Sequence, residues 1–258
     1  MELFQGRNVL AYLSVLYEGN WDKIFQAIQN KIPLDSTEVE KVVKEIKTPF
    51  ITILDELYPE KLKHIYKPPF VLFYHGDLDL WNRPSIAVVG SRTCSEYSKK
   101  HTGEIVGDLA KKLVVISGLA RGIDTIAHQS AIASGGKTIA ILGSGIDECY
   151  PKSNQELYER ICKDHLVISE YPLHTLPKKE FFPHRNRLLA AFSDAVLVME
   201  AKEKSGTMHT VRSALEFGKE IFCIPHPIEE NDFTNRLIQE GAFLVESSKE
   251  IFNELKLK

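Results

Sequence analysis

The sequence predicts an α/β protein whose mostly parallel sheet carries helices on both faces. Three observations lead there. From Ser85 onward, seven apolar runs of strand length alternate with segments of helix length. The runs are apolar almost throughout, as strands buried on both faces are. Four of them end in a turn of small polar residues that opens a helix. These are Ile86–Arg92, Val114–Asp124, Ile139–Asp147, and Val196–Glu200 followed by Ser205-Gly206-Thr207. In an open parallel sheet such turns gather at the carboxyl ends of the strands, where ligands bind. Glycine allows close backbone approach, and a helix N-terminus offers free N–H groups to an anion.

Residues 1–48 read as a small helical domain. Val9, Leu10, Leu13 and Leu16 recur at helical spacing, as do Ile24, Ala27 and Ile28, then Val39, Val42, Val43 and Ile46. Asp22 and Ser36 are candidate N-caps. Residues 49–84 read as a connecting segment packed on the main domain. Pro49, Pro59, Pro68, Pro69 and Pro84 break it, and a strand at 70–74 leads into a turn at 75–77. Residues 85–258 form the main domain. Its strands are expected at 85–90, 113–117, 138–143, 166–169, 195–200, 220–225 and 243–246. Its helices are expected at 95–112, 123–134, 153–163, 184–193, 207–218, 233–240 and 248–255.

The chain has 258 residues, 43% of them hydrophobic and 26% charged, which suits a soluble globular protein. No stretch is apolar enough for a membrane span, and the first residues lack the pattern of a signal peptide. A cytoplasmic protein that does not insert into membranes is expected. Cys94, Cys149, Cys162 and Cys223 are scattered and read as reduced, packed thiols. No metal and no cofactor is expected. The formal net charge is −3, so any surface for nucleic acid must be a local basic patch.

The turns narrow the chemistry. Neither Gly90-Ser91-Arg92 nor Gly143-Ser144-Gly145 continues into a dinucleotide fingerprint, and no P-loop is present. Gly90, Ser91 and Arg92 offer backbone N–H groups, a hydroxyl and a guanidinium at one helix start, which suits a phosphate. Ser117, Gly118 and Arg121 add a second such turn. There Asp124 complements the helix dipole or holds a rim arginine. His128 lies one turn further along the same face. Tyr150 either stacks on a base or packs on the sheet edge. In the segment 178–187, Lys178, Lys179, Arg185 and Arg187 stand among Phe181 and Phe182, beside Asn186. Cations match phosphates, and an aromatic face stacks on any unpaired base. One of the two phenylalanines is expected to be buried. Glu200, Ser205, Gly206 and Thr207 complete the rim. No nucleophile elbow is present.

Taken in order, these pieces resemble the DNA-processing protein A family, also called Smf. The matching motifs are Gly90-Ser91-Arg92 with Ser95 and Tyr97, Ser117–Asp124, Thr138–Asn154, Ser169-Glu170-Tyr171-Pro172, Phe182–Arg187, Ser205-Gly206-Thr207 and Ala214-Leu215-Glu216. The resemblance spans about residues 50 to 246. It implies an extended Rossmann-like domain that binds single-stranded DNA, protects incoming DNA in natural transformation and loads the recombinase RecA. It also implies a homodimer with no catalytic residue. The N-terminal helices resemble the family's sterile-alpha-motif-like domain.

The resemblance puts Arg92 and the segment Lys179–Arg187 in the DNA pocket. Gly143 joins the pocket through its turn, while Asp124, Glu170 and Glu200 are expected to position other groups. The sequence departs from the family pattern at Ser98 and at Pro225-His226-Pro227, where the following loop is short. The winged-helix domain that ends some members is not expected here. Two rival readings are a nucleotide-processing enzyme of the phosphoribohydrolase (lysine-decarboxylase-like) type, with Glu170 or Glu200 acting on a sugar, and a small-nucleotide sensor.

Overall fold

The computed structural model of the chain describes residues 2–230 and 232–256. Helices α1 (Glu2–Leu16), α2 (Trp21–Gln29) and α3 (Ser36–Glu45) come first. Asn20 Oδ1 accepts from the N–H of Lys23 (3.1 Å), and Asp35 Oδ1 from that of Thr37 (2.8 Å). The caps therefore lie just ahead of Asp22 and Ser36, which sit inside the first turns. The three helices close on Tyr12, Leu13, Ile24, Ala27 and Val39. Trp21 stacks between Phe25 (4.9 Å) and Phe70 (5.2 Å), and its indole N–H donates to the Pro68 carbonyl (2.7 Å). These contacts fasten the helices to the next segment.

That segment holds β1 (Phe50–Thr52), α4 (Glu60–Lys63) and β2 (Val71–Gly76). Then follow β3 (Ser85–Val89), α5 (Glu96–Leu109), β4 (Val114–Ser117), α6 (Ile123–Ala133) and β5 (Thr138–Ile141). Next come α7 (Gln155–Asp164), β6 (Leu166–Ser169), α8 (Phe181–Phe192), β7 (Ala195–Val198) and α9 (Thr207–Glu216). The described chain closes with β8 (Glu220–Cys223), α10 (Phe233–Gln239), β9 (Phe243–Leu244) and α11 (Ser248–Glu254).

The strands form one nine-stranded sheet in the order β1-β2-β6-β5-β4-β3-β7-β8-β9. From β6 to β9 all pairs are parallel. The segment expected as a connector also supplies two strands: β2 runs antiparallel to β6, with Phe73 opposite Ser169, and β1 runs antiparallel to β2.

Alternate residues of β3 face opposite layers. Ala87 and Val89 pack with Leu188, Phe192 and Val211 of α8 and α9, while Ile86 and Val88 pack with Val106, Leu109 and Ala127 of α5 and α6. Fully burying such a side chain contributes about 1.5–3 kcal/mol each.

Several strands end one or two residues before the expected position, at Val89, Ile141, Val198 and Cys223. Helix α8 begins earlier than expected, at Phe181. Pro183 is tolerated there because the N–H groups of a first turn have no intrahelical acceptor, so none of the helix's own hydrogen bonds is lost. The chain winds outward from β3 through β4 to β6, then returns to build β7 to β9 on the other side. The gap between β3 and β7 is the topological switch point, where open α/β sheets place their ligands.

One buried group makes this fold sensitive to acid. His128 of α6 is fully buried. The Thr138 hydroxyl donates to the Val115 carbonyl (2.7 Å), so it accepts from His128 Nδ1 (2.7 Å). Nε2 then carries a lone pair with no partner among the described residues. Burial pushes the imidazole pKa down to about 3, with His165 and Arg185 adding to the fall. An unfolded imidazole titrates near pH ~6.5, so below that value the unfolded chain takes a proton that the folded chain refuses. Stability is therefore complete above the unfolded value and drains as pH falls toward the folded one. From about pH 7 to about pH 5 this group alone costs about 2 kcal/mol. Urea unfolding at the two pH values should show His128→Gln losing about 2 kcal/mol less than the wild type. Equal losses would contradict the assignment.

Candidate functional site

A cleft of about 580 Å³ opens at the switch point, and a smaller lobe of about 280 Å³ adjoins it. Gly90, Ser91, Arg92 and Thr93 come from the turn after β3. Lys202, Ser205, Gly206 and Thr207 come from the loop after β7 and the start of α9. Lys179, Phe182, Arg185 and Asn186 come from α8 and its approach. Gly118, Arg121 and Tyr150 line the smaller lobe, which shares Arg92, Phe182 and Arg185 with the larger. The carboxyl-end turns thus meet in one place, as an open parallel sheet requires.

Arg185 forms the floor and is only 3% exposed. Its Nη1 donates to the carbonyls of Gly118 (2.6 Å) and Ile141, and its Nε donates to Asn186 Oδ1 (3.1 Å). Burial lowers its pKa to about 10, with Asp124 opposing the fall, so it is charged at neutral pH. A Cβ at position 118 would strike this guanidinium, which explains the glycine. Asp124 accepts from the N–H groups of Gly118 (3.1 Å) and Ala120 (3.3 Å). Burial raises its pKa, with Arg185 and these N–H groups pulling the other way. Gly122 has φ +73°, and a Cβ there would meet the Ser91 carbonyl. The turn after β3 and the start of α6 can therefore touch, and Ile123 N–H donates to Ser91 O (3.2 Å).

Glu200 acts on the same rim. Its carboxylate accepts from the N–H of Ser95 (2.8 Å), the N-cap of α5. Burial raises its pKa, but the Ser95 N–H and the hydroxyls of Ser98, Ser95 and Ser91 outweigh that, and the net shift is downward. The carboxylate is thus occupied in holding the turn that carries Arg92.

Fixed charge in the larger cleft is mostly positive. Arg92, Lys179, Arg185 and Lys202 line it, against the one buried carboxylate of Asp124. The two phenylalanines separate cleanly. Phe181 is buried on Tyr171 (4.1 Å between ring centres), whereas Phe182 borders the cleft. The Arg92 guanidinium lies 5.3 Å from the Phe182 ring centre, and the Tyr150 ring lies 5.7 Å from it.

Four residues expected to contact DNA lie outside the cleft lining. Ser117 is fully buried, and its hydroxyl donates to the Val88 carbonyl (2.7 Å). Gly143 lies beneath the Phe182 ring, where a Cβ would come within 2.9 Å of it. Lys178 turns to Glu18 in the turn after α1 (2.7 Å). Arg187 is buried with Glu170 in a two-pronged pair, both contacts at 2.7 Å, and also donates to the Lys67 carbonyl (2.7 Å). Its charge is neutralised within the fold.

Thr93, Lys202, His209 and Thr210 line the cleft without having been expected there. Thr210 follows Thr207 by three residues, so helical spacing alone puts both on one face. Thr210 Oγ1 and Ser205 Oγ are buried with no partner among the described residues. Beside them, the N-terminus of α9 offers free N–H groups suited to an anion. Outside the cleft lining, ligand atoms of Asp147, Glu148 and His174 lie within 4.8 Å of one another and could hold a cation. Two of these residues already form an ion pair, His174 Nδ1 to Asp147 at 2.7 Å.

Comparison with known proteins agrees with this fold. The family model of DNA recombination-mediator protein A matches residues 49–256. DNA processing protein DprA of Streptococcus pneumoniae is 46% identical over 212 residues, 81% of this chain and 75% of that one. Its X-ray structure superposes with a TM-score of 0.81 at 43% identity, over 90% of this chain and 80% of that chain. The structure of DNA processing protein A from Helicobacter pylori, described for its single-stranded DNA binding mode, superposes with a TM-score of 0.74 at 33% identity. That match covers 81% of this chain and 96% of that chain.

The Arg187–Glu170 pair is 7% and 6% exposed. Removing one partner from such a pair leaves a buried charge and costs about 3–5 kcal/mol. Arg187→Met should lower the urea unfolding free energy by about that amount, and Arg187→Met with Glu170→Leu should recover much of it. Lys178→Ala, which breaks an exposed pair, should change it by less than about 1 kcal/mol. A mild Arg187→Met phenotype would show that this pair does not brace the fold.

Proposed function

The chain belongs to the DNA recombination-mediator protein A family, and on that premise we propose that it binds single-stranded DNA in the cleft, shields it and passes it to RecA. The observation that carries this reading is the pairing of four fixed cations with an accessible aromatic face at the switch point. Phosphates meet Arg92, Lys179 and Lys202 and the N–H groups at the start of α9. An unpaired base stacks on Phe182, which a duplex with its bases already stacked cannot do. The chain's net charge of −3 makes this local patch the attractive feature.

The reading needs no catalytic residue. Glu170 is held by Arg187, and Glu200 by the start of α5. Release of free base from a nucleoside monophosphate would overturn that part. Assembly as a homodimer, delivery to RecA in natural transformation and a cytoplasmic site of action belong to the same proposal, supported by family membership. A monomer in sedimentation, with no faster RecA filament growth on protein-coated strands, would remove the first two. Among the described residues, no helix is long and apolar enough to cross a membrane.

Binding should weaken with salt, the log–log slope being about −0.7 per phosphate neutralised. Arg92→Ala should cost about 10- to 100-fold in affinity for a thymidylate oligomer and flatten the slope by about 0.7. Fluorescence titration across a salt series measures both. Equal affinity for blunt duplex, or a slope untouched by Arg92→Ala, would contradict the proposal.

A further inference from the structure

Tyr150 is an aromatic side chain that the reading so far leaves without a task. It is 48% exposed, yet it borders both the cleft and its smaller lobe. Its neighbours Cys149 and Pro151 are buried, so the ring is presented by an anchored turn. Ser144 Oγ donates to the Glu148 carbonyl (2.6 Å), and Asn154 N–H donates to the Pro151 carbonyl (3.0 Å), closing that turn on both sides. Asn154 Nδ2 also donates to the Leu119 carbonyl (2.9 Å), tying the turn to the loop that bears Arg121.

The Tyr150 and Phe182 rings lie 5.7 Å apart and are tilted by 41°. A base sandwiched between two rings needs about twice a contact distance, roughly 7 Å. The two rings therefore cannot clamp one base between them. Each instead offers its own outer face. Arg121 stands exposed at the border of the smaller lobe.

We propose that the smaller lobe is a second nucleotide station, where the base next along the strand stacks on Tyr150 and its phosphate meets Arg121. This rests on the single-strand reading and adds to it a ligand unit of two adjacent nucleotides. A mononucleotide fills only the larger cleft, through Phe182 and the start of α9. A stacking contact is blind to base identity, so the second station accepts any base.

The test is calorimetric titration of the whole chain with a thymidylate mononucleotide, dinucleotide and tetranucleotide. The wild type should gain affinity from one nucleotide to two. Tyr150→Ala should erase about 5- to 150-fold of that gain, the worth of one stacked base. Tyr150→Phe should keep it, because stacking uses the ring and not the hydroxyl. The readout is the ratio of dinucleotide to mononucleotide affinity within each protein, because Tyr150 also borders the larger cleft. Should Tyr150→Ala prove misfolded by circular dichroism, Arg121→Gln supplies the second arm, reducing the gain and its salt dependence. A full gain in folded Tyr150→Ala, or in Arg121→Gln where that arm is used, overturns the second station and leaves the single-strand reading standing. Failure of the wild type to bind even the tetranucleotide overturns both.

Discussion

The burial of one guanidinium organises this molecule's binding face. Arg185 sits under the carboxyl ends of the sheet, where a charge stripped of water costs several kcal/mol unless it is hydrogen-bonded and neutralised. The carbonyls of Gly118 and Ile141 and the nearby carboxylate of Asp124 meet that demand. Each partner is constrained in turn. Position 118 must be glycine for the guanidinium to fit, and Asp124 must sit at the start of α6 to receive two N–H groups. Asn186, bonded to Arg185, reaches across to the Gly206 carbonyl ahead of α9 (2.9 Å). One buried charge thus links the ends of β4 and β5 with α8 and α9, and leaves a positive floor beneath the cleft.

Above that floor, weak interactions are set against one another. Arg92 lies over the face of Phe182. A cation–π contact at an exposed site is worth about 0.5–1 kcal/mol, whereas a base stacked on an aromatic ring is worth about 1–3 kcal/mol. Under the proposed function a base would win that competition and free the guanidinium for a phosphate, which arginine grips with two parallel bonds. The self-contact keeps an aromatic face from lying bare without blocking its use.

Most of the sheet was legible because β3 to β8 are short, apolar and punctuated by turns. Periodicity reports such burial directly. Pairing of β2 with β6 was not legible, since Phe73 meets Ser169, 96 residues further along, and local pattern says nothing about so distant a partner. The charge run from Lys178 to Arg187 misled for a related reason. A sequence shows the cation but not its partner, and Glu18 and Glu170 claim two of the four charges. Lys202 escaped notice because a lone lysine in a loop carries no pattern. The choice between Phe181 and Phe182 turned on the exact start of α8, the least readable property of a helix.

Photocrosslinking of a single strand bearing 5-iodouracil, followed by mass spectrometry of the peptides, would locate the bound bases directly. The account predicts adducts on the peptide containing Phe182, lost when unlabelled single strand is added in excess. Adducts confined to α1–α3 or to the far edge around β9, with none at Phe182, would contradict it.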